Sequence, residues 1–396
     1  MATIKSALEG IRVLDLGRNQ AAPRVGSMLA RLGAEVIKVE GLAGEDGRNN
    51  GPIARGQSVY FVQYNNGKKS LAMDLRKEKG KEILRELVKI SDIFIQNFRP
   101  GIIDVMGFSY EVLHGLNPKI IMLNVSAYGQ YGSYRERAGL DTIGQAIGGL
   151  MSITGHPGNP PSWPGSAIID NVTALNGTIG VLAALRELEV SGEGQAIDVC
   201  LSDSGFLLTE IPVVDYLETG NMAGPMGAFY GRSFAGIFKA TDGWVCILAS
   251  PDNVFRRFCE CIGKPEWIKD PRFINRRARA MNLEILQEEL TKWCSTRTME
   301  EVVGTLSDAG VPCVPVNNIA QAARSPMLWE RECLVKVPDP IAGTIYAAGN
   351  YVKLSRSQAV VGPAPALGEH TDEVLRDLLQ YAPEQLQRLR EEEVIK

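Results

Sequence analysis

Short apolar runs alternate with amphipathic stretches through the first half of the chain. Ile11-Arg12-Val13-Leu14-Asp15-Leu16 reads as a strand, and Gly17 to Ala22 as a loop. Pro23 suits a first helical turn; Val25, Met28, Leu29 and Leu32 then recur at helical spacing, and Gly33 stops the helix. Glu35 to Glu40 is the next strand. Ser70 to Asp74, Ile93-Phe94-Ile95 and Ile120-Ile121-Met122-Leu123 predict three more, with an Ile83, Leu84, Leu87, Val88 helical stripe between the first two. A long apolar helix is expected at about 172–188, then a Gly192-Glu193-Gly194 turn and a strand at 197–201. Such βαβ units predict an α/β fold with a doubly wound, mostly parallel, Rossmann-like sheet that binds ligands beyond its strand C-termini.

The pattern changes near Gly220. Gly220, Gly224, Pro225, Gly227 and Gly231 mark a crossing segment. Phe234 to Lys239 and Trp244 to Leu248 flank Thr241-Asp242-Gly243, a hairpin signal, and Leu283, Leu286, Leu290 and Trp293 recur at helical spacing. The expected division is a large α/β domain at 1–220, a small α+β domain at 225–325, and a return to the large domain at 326–396.

Length and composition narrow the function. A chain of 396 residues exceeds the roughly 250–300 at which one core stops growing, so two domains are expected. Hydrophobic content of 45% with 22% charged residues fits an ordinary globular protein. A formal net charge of −4 argues against nucleic-acid and membrane-surface partners. No uninterrupted apolar run reaches about 18 residues, and the first residues carry no signal-peptide pattern, so neither a membrane span nor secretion is expected. Seven cysteines without a Cys-x-x-Cys pair suit a reducing cytoplasm. The three histidines, His114, His156 and His370, have no zinc-ligand spacing, and no Gly-x-Ser-x-Gly occurs, so no metal is expected and carboxylates are left to do the chemistry.

Asp170 is the foremost candidate. It follows Gly165-Ser166-Ala167-Ile168-Ile169 and is expected to open the long apolar helix. Aspartate is a preferred N-cap, which alone accounts for its position. The positive end of the helix dipole also favours its ionised form, which is the form that attacks as a nucleophile. The first βα turn, Gly17-Arg18-Asn19-Gln20-Ala21-Ala22-Pro23, has one glycine rather than Gly-x-Gly-x-x-Gly, which argues against a nicotinamide dinucleotide despite Glu40 at the next strand end. Lys68, Lys69, Arg76 and Lys77, with Asn97, Phe98 and Arg99, suggest a phosphate pocket beside an aromatic platform.

The chain resembles the class III CoA-transferases, the family of formyl-CoA transferase and carnitine CoA-transferase. The resemblance runs through Leu8-Glu9-Gly10-Ile11-Arg12-Val13-Leu14-Asp15-Leu16, Gly33 to Glu40, Asn97-Phe98-Arg99-Pro100-Gly101, Gly192-Glu193-Gly194-Gln195, Ala309-Gly310-Val311-Pro312 and Leu367-Gly368-Glu369-His370-Thr371. It implies Asp170 as the catalytic aspartate, and CoA contacts at Gln20 and Ala21, at Met73, Asp74, Leu75 and Arg76, at Asn97, Phe98 and Arg99, and at Asp141. A basic CoA contact of the family is replaced here by Val105. In place of the multi-glycine lid stands Met226-Gly227-Ala228-Phe229-Tyr230-Gly231.

The implied reaction moves CoA from an acyl-CoA to a carboxylic acid through an aspartyl anhydride and an aspartyl-CoA thioester. CoA and acyl-CoA are substrates, and no permanently bound cofactor is implied. The Gln20-Ala21 turn, opening a helix, is the candidate oxyanion site. Family members form intertwined homodimers, and the glycine-rich crossing and the tail suit two linkers. An α-methylacyl-CoA racemase shares the fold, but its Gly-His-Asp stretch reads Gly139-Leu140-Asp141 here, and leucine exchanges no proton. A nicotinamide oxidoreductase and a non-catalytic acyl-CoA-binding protein remain as further alternatives.

Overall fold

Six apolar runs become one fully parallel sheet: β1 Arg12–Asp15, β2 Glu35–Glu40, β3 Lys69–Ala72, β4 Ile93–Gln96, β5 Ile121–Ser126 and β6 Ala196–Cys200. The computed structural model describes residues 6–231 and 233–396. The strand order is β3-β2-β1-β4-β5-β6, the doubly wound arrangement that reverses direction between β1 and β4. Leu14 pairs with Ile37 on one side and Phe94 on the other, which fixes the register at this reversal.

Helices α1 Ala21–Arg31, α2 Val59–Asn65, α3 Glu78–Lys89, α4 Asp141–Ile147, α5 Ile168–Ser191 and α6 Leu201–Leu207 accompany the sheet. Alternate strand residues enter opposite cores. Val13, Val36, Ile93, Ile121 and Leu123 pack with Val25 and Leu29 of α1 and Ala174, Val181 and Ala184 of α5. Leu14, Ile37, Leu71, Phe94 and Met122 pack with Ile83, Leu84, Leu87 and Val88 of α3. Both faces are covered, so the strands read as continuous apolar runs rather than alternating ones. Each such aliphatic side chain contributes about 1.5–3 kcal/mol when fully buried. By length and composition α5 could cross a bilayer, but here its Ala174, Gly177 and Val181 pack inside this unit.

The chain separates into two compact units, Met1–Leu150, Pro164–Val214 and Pro326–Lys396 in one, and Met151–Trp163 and Asp215–Ser325 in the other. The expected boundary at 220 placed residues 151–163 in the large domain; they group with the small unit. That unit has an antiparallel sheet of β7 Ala235–Lys239, β8 Trp244–Leu248 and β9 Cys313–Pro315, in order β9-β8-β7. Its helices α7 Asp252–Cys261, α8 Leu283–Ser295 and α9 Met299–Asp308 bury Phe255, Phe258, Leu286, Leu290, Val302 and Leu306 against Phe238 and Val245. A Thr298–Glu301 capping box starts α9.

In the tail, β10 Leu334–Asp339 and β11 Gly343–Ala348 form a ribbon whose Val337, Ile345 and Ala347 pack on Phe61 and Val62 of α2. Helices α10 Thr371–Leu379 and α11 Pro383–Glu391 add Val374, Leu375, Leu386 and Leu389 to the core over α3. Ile395 bridges Met73, and the Asp74 amide donates to the Val394 carbonyl at 2.8 Å. The outer strand of the sheet is thus capped where its ligand-facing loop begins.

Candidate active site

Helix α5 begins two residues before Asp170, with Ala167 at its N-cap. Asp170 is therefore inside the first turn and is not the cap that local sequence suggested. Alanine offers no capping oxygen, and the missing acceptor comes from elsewhere: the Asp170 amide donates to Asp141 Oδ1 at 2.9 Å. Asp141 is the first residue of α4 and is buried. Gln145, one turn later, donates through Nε2 to Asp141 Oδ2 and to the Ser166 carbonyl at 3.3 Å. Each Asp141 oxygen thus accepts from a protein donor, which makes Asp141 a support for the first turn of α5.

This support changes the charge state of Asp170. Burial, and then the neighbouring Asp141 charge, push its carboxyl up from 3.8 to about 7. The helix dipole was expected to favour the anion, and desolvation outweighs it. The result is a carboxylate poised near neutrality, a property concentrated at reactive sites.

A second helix terminus meets this one. Gln20 is the N-cap of α1, and its Nε2 donates to Asn171 Oδ1 at 3.2 Å and to the Ala167 carbonyl at 3.4 Å. Neither N-cap residue, Gln20 nor Ala167, caps its own helix with a side-chain oxygen, so among the described residues, apart from the Asp170 amide held by Asp141, the first-turn amides of α1 and α5 lack side-chain acceptors beside Asp170. Ala21, the first residue of α1, is buried there.

Buried charges hold the loop leading into α1. Lys38 Nζ donates to the Gly17 carbonyl at 2.8 Å and pairs with Glu45 at 3.0 Å. Lys68 Nζ contacts Asp15 Oδ2 at 2.6 Å, the Pro23 carbonyl at 2.7 Å and Asn65 Oδ1 at 2.9 Å. Asp15 and Glu45 in turn accept from the amides of Gly17 and Asn19, both at 2.8 Å. From across the strand reversal, Asn97 accepts from the Arg18 amide and donates to the Arg18 carbonyl, both at 2.8 Å.

Two cavities open at the C-terminal edge of the sheet. One, of about 480 Å³, is lined by Leu16 to Arg18, Val39 to Glu45, Met73 to Arg76, Phe98 and Met106. The other, of about 580 Å³, is lined by Phe98, Arg99, Ser126, Arg137, Leu140 and Ile143, among others. Phe98 borders both. Of the residues marked from sequence, Met73, Asp74, Leu75, Arg76, Phe98 and Arg99 line these cavities, whereas Asn97 braces the loop between them.

The expected phosphate cluster needs correction. Lys68 is spent on Asp15, Lys69 pairs with Glu35 at 2.7 Å and Glu373 at 2.8 Å, and Lys77 donates to the Glu393 carbonyl at 3.1 Å. Arg76 remains at the cleft, exposed, though it also grips Asp74 through Nε and Nη2 at 2.8 Å each and holds that carboxyl down at about 2.

Sequence reasoning missed Tyr60 and Tyr64. They lie one turn apart on α2 with ring centroids 4.9 Å apart. Burial pushes both phenols up, and the Asp170 charge adds to each, so both face the same neighbourhood as Asp170. Their i,i+4 spacing is a signal, but nothing local ties them to a carboxylate so far along the chain.

The description "CoA-transferase family III" matches residues 8–371. The chain belongs to that family. It is 34% identical to succinyl-CoA–D-citramalate CoA-transferase of Chloroflexus aurantiacus over 396 residues, covering 98% of each chain. It is 32% identical to formyl-CoA:oxalate CoA-transferase of Afipia carboxidovorans, covering 97% of this chain and 96% of that one. A solved CAIB/BAIF family protein from Brucella suis superposes with a TM-score of 0.83 at 31% identity, over 94% of this chain and 100% of that one. The protein is thus a family III CoA-transferase, acting on CoA thioesters.

Proposed function

We propose that this CoA-transferase carries its acyl group and then its CoA on Asp170. The observation that supports this reading best is the carboxyl of Asp170, pushed up to about 7 where the N-termini of α1 and α5 meet. The anion attacks the thioester carbonyl, and the amides at Gln20 and Ala21 receive the oxyanion. CoA thiolate leaves, giving an aspartyl mixed anhydride. The thiolate then attacks the aspartyl carbonyl, the donor acid departs, and an aspartyl-CoA thioester remains. An acceptor carboxylate attacks that thioester, and the steps reverse to release the new acyl-CoA.

The cavity bounded by Arg18, Leu75, Arg76 and Phe98 is the proposed seat of CoA, with Phe98 as the adenine platform and the two arginines toward phosphates. Both relatives named above act with dicarboxylic acids, citramalate and oxalate, by their names. A proton-exchanging racemase is less well served: His114 pairs with Glu193 at 3.0 Å, and exposed Leu140 precedes Asp141.

The working form we propose is a homodimer. Helix α5 leaves Leu175, Ile179 and Leu182 exposed, and Phe206, Leu207 and Ile211 are exposed after it, apolar side chains that a partner chain would cover. The seven free thiols suit a cytoplasmic setting.

The test is trapping. The protein is incubated with a panel of acyl-CoAs and hydroxylamine, and its peptides are read by mass spectrometry. A hydroxamate on the peptide bearing Asp170, lost in Asp170→Ala, is the expected result. Label elsewhere, or the same label in Asp170→Ala, sinks the proposal.

A further inference from the structure

Arg24 stands one turn beyond Gln20 on α1, its amide bonded to the Gln20 carbonyl at 2.9 Å. Residues four apart share a helix face, so Arg24 lies on the face whose preceding turn reaches Asn171, the neighbour of Asp170. Its guanidinium is 5.6 Å from the ring centroid of Tyr64. Among the described residues no carboxylate pairs with Arg24. Its partner is instead Tyr64, whose ring it faces and whose phenol it hydrogen-bonds.

Two further observations bear on the charges along this helix face. Arg31, two turns along the same face, is buried and has no carboxylate partner among the described residues. It donates to Asn66 Oδ1 at 2.9 Å and to the Gln63 carbonyl at 3.3 Å, its Nε stays unpaired, and it stacks 5.9 Å from Tyr351. Burial pulls its pKa down from 12.5 to about 10, with Tyr351 opposing the shift and Arg24 adding to it, and the guanidinium stays charged at neutral pH. The Tyr64 phenol is pushed up by burial; Arg24 opposes that shift and Asp170 adds to it, so both charges act on one hydroxyl.

We infer that Arg24 is a specificity residue and receives the second carboxylate of a short dicarboxylic acid while the first reacts at Asp170. The inference rests on Asp170 being the nucleophile. Four residues, about 6 Å of rise, separate Gln20 from Arg24 along α1. A guanidinium is suited to this task because its fork binds a carboxylate through two parallel hydrogen bonds.

The experiment compares two identity exchanges, labelled succinate into succinyl-CoA and labelled butyrate into butyryl-CoA. The acyl groups differ only in a terminal carboxylate against a methyl group. The wild-type protein is expected to favour the succinyl pair by at least tenfold in kcat/KM. Arg24→Met, which keeps the stem and removes the charge, should lower the succinyl-to-butyryl ratio at least tenfold, and Arg24→Lys should restore part of it. A wild-type protein that favours butyryl, or an Arg24→Met variant that lowers both exchanges equally, overturns the assignment. Exchange of neither pair, with Asp170 still trapped as a hydroxamate by another acyl-CoA, overturns it too and leaves the nucleophile standing. No trapping at all removes the nucleophile itself.

Discussion

Asp141 Oδ1 accepts the backbone amide of Asp170 at 2.9 Å, while its charge adds to the burial that pushes the Asp170 carboxyl up to about 7. One residue thus positions the candidate nucleophile and restrains it. Since only the anion attacks, kcat/KM should rise with pH through about 7. Asp141→Asn keeps an oxygen for the Asp170 amide but removes the charge, so this rising limb should move to lower pH. Losing one of the two acceptor oxygens should cost about 1 kcal/mol of stability. A pH–rate profile of the two proteins checks it; an unmoved limb assigns the inflection to another group.

The same raised carboxyl makes a stability prediction with a definite sign. Between the unfolded value of 3.8 and the folded value of about 7, the native state holds a proton that the unfolded chain has lost. Stability from this group is present below the lower value and is lost as pH rises to the upper one. Asp170→Asn removes that loss. Its melting temperature should exceed that of the wild type at pH 8 by roughly 2–4 °C, and the gap should close toward pH 4. A gap that widens on acidification would show the sign to be wrong.

The sheet was legible in the sequence because both of its faces are buried, so β1, β2, β4 and β5 carry runs such as Ile93-Phe94-Ile95 that few other structures need. Asp170 was legible as a candidate from its place before an apolar helix. Its environment was not: Asp141 and Tyr60 come from other elements, and only the folded chain puts them beside it. The helix dipole at Asp170 is a local force, and the desolvation that exceeds it comes from the rest of the fold. Lys68 misled in the opposite way. A lysine near a strand normally stays in water, whereas this one is sealed against Asp15, 53 residues earlier.

That buried pair carries its own prediction. Lys68 is held by Asp15, Asn65 and the Pro23 carbonyl, and burial pulls its ammonium down to about 8. Lys68→Met leaves the Asp15 carboxylate buried without its partner, which should cost about 3–5 kcal/mol. Adding Asp15→Asn removes the stranded charge and should recover part of the loss. Denaturant midpoints of the two single variants and the double variant measure the coupling. Strict additivity would mean that the pair does not act as a unit.

Glycines set the distance between α4, which starts at Asp141, and α6. A Cβ on Gly205 would lie 2.4 Å from the Gly144 carbonyl oxygen, and one on Gly148 would lie 2.5 Å from the Gly205 carbonyl carbon. Backbone meets backbone here, so no side chain can move aside. Gly205→Ala should push α4 outward, drawing Asp141 off the Asp170 amide, at a stability cost of about 1–3 kcal/mol. Because the proposed nucleophile loses its support, kcat should fall several-fold. Gly304 is the matched control: it sits in helix α9, and a Cβ added there would meet nothing within 4 Å. Gly304→Ala should stabilise the protein by about 0.4–1 kcal/mol through the unfolded chain. If Gly205→Ala behaves like Gly304→Ala in melting temperature and kcat, the close approach of α4 and α6 does not govern the position of Asp141.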